Sequence, residues 1–214
     1  MDWKIDYLDS MITIIDYGVG NINAFVNVYK RVDVPVKIAK TKGDLLDAQK
    51  LILPGVGHFD HAMTQLNNSG MRDMLDELVL GKNVPVIGIC VGMQMMANRS
   101  DEGKIEGLKW IDASVRKFDE TKIHQVTRLP HMGWNDVKPV KDLELFKGLE
   151  NDSIFYFLHT YYFECNNNDD IMAVTEYGEE FTSAAHHENK YGIQFHPEKS
   201  HHYGEMLLHN FAKL

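Results

Sequence analysis

The 214 residues include only two cysteines, Cys90 and Cys165. Two thiols in a chain of this size exclude a disulfide framework and suit a reducing cytosol. Long apolar runs are also missing: none approaches the roughly 18 residues that a membrane span requires. Residues 1–10 carry Asp2, Asp6 and Asp9 and have no apolar core of the secretory type. Basic residues are the minority, with 22 Lys and Arg against 31 Asp and Glu for a net charge of −9. Such a balance is a poor basis for tracking a phosphate backbone. Composition therefore argues for a cytoplasmic protein with neither nucleic-acid nor membrane partners. Proline is scarce, six in all, and no Pro/Ser-rich linker, low-complexity tract or internal repeat divides the chain. Its length is enough for one domain that buries its own core. We expect a short N-terminal extension at 1–10 and a single domain over 11–214.

What is present is a strong alternation. Apolar segments at 11–15, 34–39, 50–54 and 84–89 read as buried strands. Between them, 21–32, 59–67, 71–81 and 92–97 show helical spacing, and 44–49 reads as a short helix. Apolar strands alternating with helices predict a mostly parallel sheet flanked by helices. The second half has a different rhythm. Strand-like segments at 113–118, 135–140, 154–158, 171–177, 182–187 and 191–195 follow one another across polar turns, and 203–213 is an amphipathic helix. The fold class is α/β, with an antiparallel extension of the sheet in the second half.

Chemistry concentrates at strand ends. Gly88-Ile-Cys90-Val-Gly92 follows an apolar strand and precedes a helix. In such an elbow a sharp turn lifts the nucleophile out of the backbone, and the flanking glycines let neighbouring chain pass close. A helix N-terminus at that point favours a thiolate and offers N–H groups to a developing oxyanion. A cysteine nucleophile needs a base, and the base needs an orienting group. Gln194-Phe-His196-Pro-Glu198 supplies both types. In extended chain, residues two apart share a face, and Pro197 biases His196 toward extended geometry. The reading is Cys90 as nucleophile, His196 as base and Glu198 as orienter. Pro54-Gly-Val56-Gly57 also joins a strand to a helix, and in a parallel sheet such loops gather at the carboxyl ends of the strands. It is the expected source of a second oxyanion donor.

These segments resemble the class I (triad) glutamine amidotransferases. Within that class, Asp16-Tyr-Gly-Val-Gly-Asn21, Pro130-His-Met-Gly-Trp-Asn135 and Phe155-Tyr-Phe-Leu-His-Thr-Tyr161 are similar to the glutaminase subunits of imidazole glycerol phosphate synthase. The likeness runs from Met11 to Leu214, with the motifs in order. It implies a flavodoxin-like fold and hydrolysis of L-glutamine to L-glutamate and ammonia through a thioester on Cys90. It further implies oxyanion stabilisation by the backbone of Val91 and of Val56 or Gly57. Glutamine contacts are implied at Gly57, Gln94, Glu102, Thr160 and Tyr161, with Glu102 facing the α-ammonium. The implied partner is a (β/α)8 cyclase subunit that forms a heterodimer and takes up the ammonia in histidine biosynthesis. Asn21, Trp134 and Lys199 match positions at that interface.

Two stretches depart from the histidine-pathway pattern. Gly107-Leu-Lys-Trp-Ile-Asp-Ala-Ser-Val115 lacks the usual Gly-rich turn, and Lys199-Ser-His-His-Tyr-Gly204 is also unlike it. Both look more like paralogues that supply ammonia for amidination of bacterial surface sugars. A γ-glutamyl hydrolase or a cysteine peptidase would share the same elbow and triad, though the segment 130–135 favours the amidotransferase. No metal or cofactor is expected. The eleven histidines show no metal-ligand spacing, and Gly18-Val-Gly20 has Asn23 where a dinucleotide fingerprint needs its third glycine. Cys165, beside a polar turn, is assigned no chemistry.

Overall fold

The computed structural model describes residues 11–151 and 153–214; the extension expected at 1–10 lies outside the described residues. The first half alternates as the apolar periods predict: β1 (Ile12–Ile15), α1 (Ile22–Arg31), β2 (Val36–Ala39), β3 (Lys50–Gly55), α2 (Phe59–Asn68), α3 (Arg72–Asp76), β4 (Val86–Cys90) and α4 (Val91–Met95). Helix α3 runs on as a π-helical turn over Glu77–Gly81. The short helix expected at 44–49 is instead a 3-10 turn over Lys42–Leu45. Its start is fixed by the Asp44 carboxylate, which accepts from the Thr41 N–H at 2.8 Å.

The second half supplies β5 (Arg99–Ser100), β6 (Ala113–Lys117), β7 (His131–Asp136), β8 (Lys138–Pro139), β9 (Ile154–His159), β10 (Tyr161–Cys165), β11 (Ile171–Tyr177), β12 (Glu179–His187), β13 (Lys190–Ile193) and α5 (His201–Lys213). Strand β13 joins the antiparallel extension to the parallel core. It pairs parallel to β4 on one side and antiparallel to β12 on the other. The parallel core therefore reads β2-β1-β3-β4-β13, followed by the antiparallel extension β12-β10-β6. This core order is the flavodoxin-like one, in which functional loops collect where the strand order reverses.

Register sets the loop ends level. Gly55 lies opposite Cys90 in the β3–β4 pair, and Ile193 lies opposite Ile89 in the β4–β13 pair. Strands β1, β3 and β4 are buried along their full lengths, because helices cover both faces. Strands β7 and β9 form a separate antiparallel ribbon. One of its faces is buried through His131, Phe155, Phe157 and His159. The other carries the cross-strand pairs Met132–Leu158 and Trp134–Tyr156, and Met132 (61%) and Trp134 (45%) are left exposed.

Candidate active site

Cys90 ends β4 and caps α4 with φ 55° and ψ −113°. A β-substituted residue held there costs about 1–3 kcal/mol, so the surroundings must impose the turn. Two glycines do so. A Cβ on Gly92 would stand 1.9 Å from the Leu53 carbonyl oxygen, and one on Gly55 would stand 2.3 Å from the Gly92 nitrogen. Helix α4 thus lies directly on the backbones of β3 and β4, and this close seating forces the elbow at Cys90. Gly57 differs: it has φ +81° and open space around it.

His196 and Glu198 meet by a route other than the expected strand face. Strand β13 stops at Ile193, and Pro197–Lys199 is a 3-10 turn with the proline in its first turn. Proline suits that position because its fixed φ is helical and no N–H is needed there. The turn folds the Glu198 carboxylate back onto His196, where Oε1 accepts from Nδ1 at 2.8 Å. Ser200 fixes the segment by donating to the His196 carbonyl at 2.6 Å and accepting from the Tyr156 N–H at 3.0 Å. Burial acts against protonation of His196. Hydrogen bonds to Cys90 and Glu198, and the charges of both, outweigh it and push the pKa up to about 10.

A cleft of about 320 Å³ opens over these groups. Cys90, Val91 and His196 line it together with Val56 and Gly57. Gln94, Glu102, Thr160 and Tyr161 line it as well, so all the residues expected to hold glutamine share one cavity. Glu102 also serves the fold, since its Oε2 accepts from the Phe59 N–H at the start of α2 at 2.8 Å. Lys199 also lines the cleft, with Nζ 5.5 Å from the centre of the Tyr156 ring. Asn21 lies outside the cleft, behind the triad, where it borders a small cavity with Gly55 and Glu198. Trp134 is elsewhere too, on the outer face of the ribbon, stacked at 5.3 Å on His201.

Several participants escape a motif-based reading. Gln194 is fully buried and donates to Cys90 Sγ at 3.7 Å. It stands beside the His-Pro-Glu segment, but no spacing rule marks it. The Tyr17 hydroxyl donates to the Pro54 carbonyl at 2.6 Å and so pins the start of the glycine loop. Burial and then the charge of Cys90 hold that phenol well above its ordinary range. Cys165 is chemically quiet: burial, followed by the nearby Asp170, pushes its thiol up to about 12. A buried sulfur flanked by an imidazole, a carboxylate behind that imidazole and a cleft of amino-acid size suit attack on a small amide or ester.

Comparison with known proteins agrees in family. Residues 4–214 match the family described as glutamine amidotransferase class-I. A Bdellovibrio bacteriovorus protein named imidazole glycerol phosphate synthase subunit HisH is 56% identical over 204 residues, which span 95% of this chain and 100% of that protein. The Leptospira interrogans protein of the same name is 48% identical over the same shares. A Pseudomonas aeruginosa protein named imidazole glycerol phosphate synthase subunit HisH 2 is 46% identical, again over 95% and 100%. Among solved structures, a glutamine amidotransferase from Thermotoga maritima has a TM-score of 0.61 and 19% identity, covering 89% of this chain and 76% of its own, and supports the fold alone.

Proposed function

The chain belongs to the class-I glutamine amidotransferases, and on that premise we propose that it is the glutaminase subunit of an imidazole glycerol phosphate synthase. The observation that carries the chemistry is the single cleft in which His196 stands between Cys90 and Glu198. Cys90 Sγ attacks the side-chain amide carbon of L-glutamine. The resulting oxyanion is held by the N–H of Val91 and by one from Val56 or Gly57. His196 passes its proton to the departing ammonia, and the tetrahedral adduct collapses to a γ-glutamyl thioester. A water that gives its proton to His196 then hydrolyses the thioester, releasing L-glutamate. Glu198 keeps the proton on His196 Nδ1 and stabilises the imidazolium without itself being protonated. Gly57, Gln94, Glu102, Thr160 and Tyr161 bind the substrate.

Ammonia then passes to a (β/α)8 cyclase partner that docks on the outer face of the β7–β9 ribbon. Support for this comes from a ribbon face on which the apolar Met132 and Trp134 stand exposed among the described residues, with Asn21 and Lys199 beside the site. We take the amidotransferase domain as 11–214, within the family match over residues 4–214. No helix among the described residues is long and apolar enough to cross a membrane.

Steady-state release of glutamate, measured with and without a barrel partner, tests the proposal. Glutamine hydrolysis that depends on Cys90 and rises with the partner is expected. Turnover of γ-glutamyl peptides in preference to glutamine would instead indicate a hydrolase or peptidase. A second reading keeps the glutaminase and changes the acceptor to a surface sugar. One observation favours it: the divergent segment 200–204 places His201, His202 and Tyr203 in a groove with Trp134, on the proposed docking face. Complementation of a histidine auxotroph lacking its own glutaminase subunit, under limiting ammonium, separates the two. Cys90-dependent growth supports the histidine pathway.

A further inference from the structure

Beneath the ribbon, two histidines outside the triad form a direct pair. His131 Nδ1 and His159 Nε2 are 2.9 Å apart. His131 lies between the rings of Tyr177 (4.0 Å) and Phe157 (4.7 Å). The pair has a readable direction, because its surroundings end on backbone carbonyls that only accept. At one end His159 Nδ1 is 2.8 Å from the Tyr161 carbonyl oxygen, so Nδ1 must carry the proton and Nε2 must accept. His131 Nδ1 then has to be the donor between the rings, which leaves His131 Nε2 bare. At the other end the Asn135 amide donates to the Glu176 carbonyl at 2.9 Å, which identifies its nitrogen. That same nitrogen lies 3.2 Å from His131 Nε2 and donates to it. Both ends impose one arrangement. A further proton on either ring would set donor against donor.

The same Tyr161 carbonyl also accepts from Gln94 Nε2 at 3.0 Å. The second N–H of Gln94 goes to Gln194 Oε1 at 3.0 Å, and Gln194 Nε2 faces Cys90 Sγ. Both hydrogens of the Gln94 amide are thereby committed. The atom it has left for a ligand in the cleft is Oε1, an acceptor. A reversed Gln94 would aim oxygen at the Tyr161 carbonyl, and a reversed Gln194 would aim oxygen at the sulfur.

We infer that His131 and His159 are positioning residues for the glutaminase site, a neutral pair in fixed Nδ1–H tautomers that holds the Tyr161 carbonyl and so keeps the Gln94 oxygen turned toward the substrate. His159 lines the cleft, but the hydrogen bonds of the two rings go to each other, to Asn135 and to the Tyr161 carbonyl, not to the triad. The inference rests on the glutaminase reading for its kinetic consequence and on the local geometry for its tautomers. The titratable groups facing the pair are Tyr177, stacked on His131, and His196, whose charge opposes protonation of His159. Burial pulls His131 down to about 4, and burial followed by His131 pulls His159 down to about 3, in keeping with a pair that stays neutral.

Two measurements test it on the full chain. Long-range nitrogen–proton NMR of imidazole-labelled protein is expected to show the neutral Nδ1–H tautomer for both rings from pH 8 to pH 5. An Nε2–H or imidazolium pattern at pH 6 for either ring overturns the pair. Kinetically, His131→Phe fills the stacked slot but withdraws the donor to His159. His131→Asn restores a donor near the Nδ1 position. With the barrel partner present, H131F is expected to raise KM for glutamine about five- to tenfold, the scale of one lost hydrogen bond, with kcat changed less than about threefold. H131N is expected to return KM to within about twofold of the parent. A folded H131F with parental KM, or an H131N as impaired as H131F, overturns the positioning role. Should the parent chain with its partner hydrolyse no glutamine, the glutaminase reading fails by itself, and the NMR arm still decides the pair.

Discussion

Cys90 and Cys165 are both buried free thiols, yet their neighbours give them opposite chemistry. Cys90 has an imidazole partner in an open cleft, whereas the Cys165 thiol is held up to about 12 by burial and Asp170. A glutamine-like diazo-ketone should therefore alkylate Cys90 and spare Cys165. Peptide mapping by mass spectrometry checks this, and an adduct on Cys165 would falsify the site. Cys90→Ala and His196→Ala should each abolish turnover to a similar degree, because the two act as a unit, while Glu198→Gln should cost roughly ten- to a hundredfold less. Steady-state kcat of the three variants gives the comparison. The buried His131–His159 pair adds a stability term with a definite sign. Unfolded histidine takes up a proton near 6.5, whereas the folded rings do so only near 4 and 3. Their contribution is full above about pH 6.5 and is lost as pH falls from there toward 4. Urea midpoints between pH 7.5 and 4.5 should show it. The slope of the parent should exceed that of His131→Asn by up to about 1.4 kcal/mol per pH unit, the value for one titrating group.

At the scale of elements, the glycines around the elbow divide into two kinds. Gly92 is packed against the Leu53 carbonyl, and Gly57 has room but a positive φ. Gly92→Ala should cost on the order of 4 kcal/mol or more through backbone displacement. Gly57→Ala should cost only about 1–2 kcal/mol. Denaturant titration of both variants tests the contrast. Much of this architecture is legible in the sequence. The parallel strands are, because burial on both faces writes them as continuous apolar runs. The elbow is, because strand, Gly-x-Cys-x-Gly and helix are contiguous. The ribbon is only half so, since β9 stands where a strand is expected at 154–158. At 135–140 the structure has the short β8, Lys138–Pro139, and only the end of β7, His131–Asp136. Its Gly133, Asn135 and Asp136 are poor strand formers, and its exposed Met132 and Trp134 break the pattern of a core-facing strand. Strand β10 goes unmarked because it follows β9 after the single residue Thr160, with no turn signal between them. The triad residues are legible by type, but the 3-10 turn that joins His196 to Glu198 reads as extended chain. The contacts of Gln194 with Gln94 and Cys90, and the contact of His131 with His159, join residues far apart in the chain, which no local period records.

For the molecule as a whole, the exposed ribbon face and the uncrowded Gly57 belong to one device in the proposed function. Tyr17 pins Pro54, and Gly55 is wedged against Gly92, so the peptide free to turn lies at Val56–Gly57. Partner docking that completes the oxyanion hole should appear mainly in kcat, by roughly 10²–10³, the worth of one donor. Trp134→Ala should weaken assembly and lose that stimulation while the isolated chain keeps its low turnover. Titration calorimetry beside glutamine kinetics reads both quantities, and full activity without any partner sinks the idea. The place of β13 reaches further, into biosynthesis. Cys90 is made early, but its base follows closely on a strand that must insert between β4 and β12 after nearly all the chain has been translated. A ribosome-bound or prematurely terminated product therefore carries a nucleophile with no proton shuttle. Strand order thus acts as a form of quality control: a product that ends before residue 196 is expected to leave glutamine unspent.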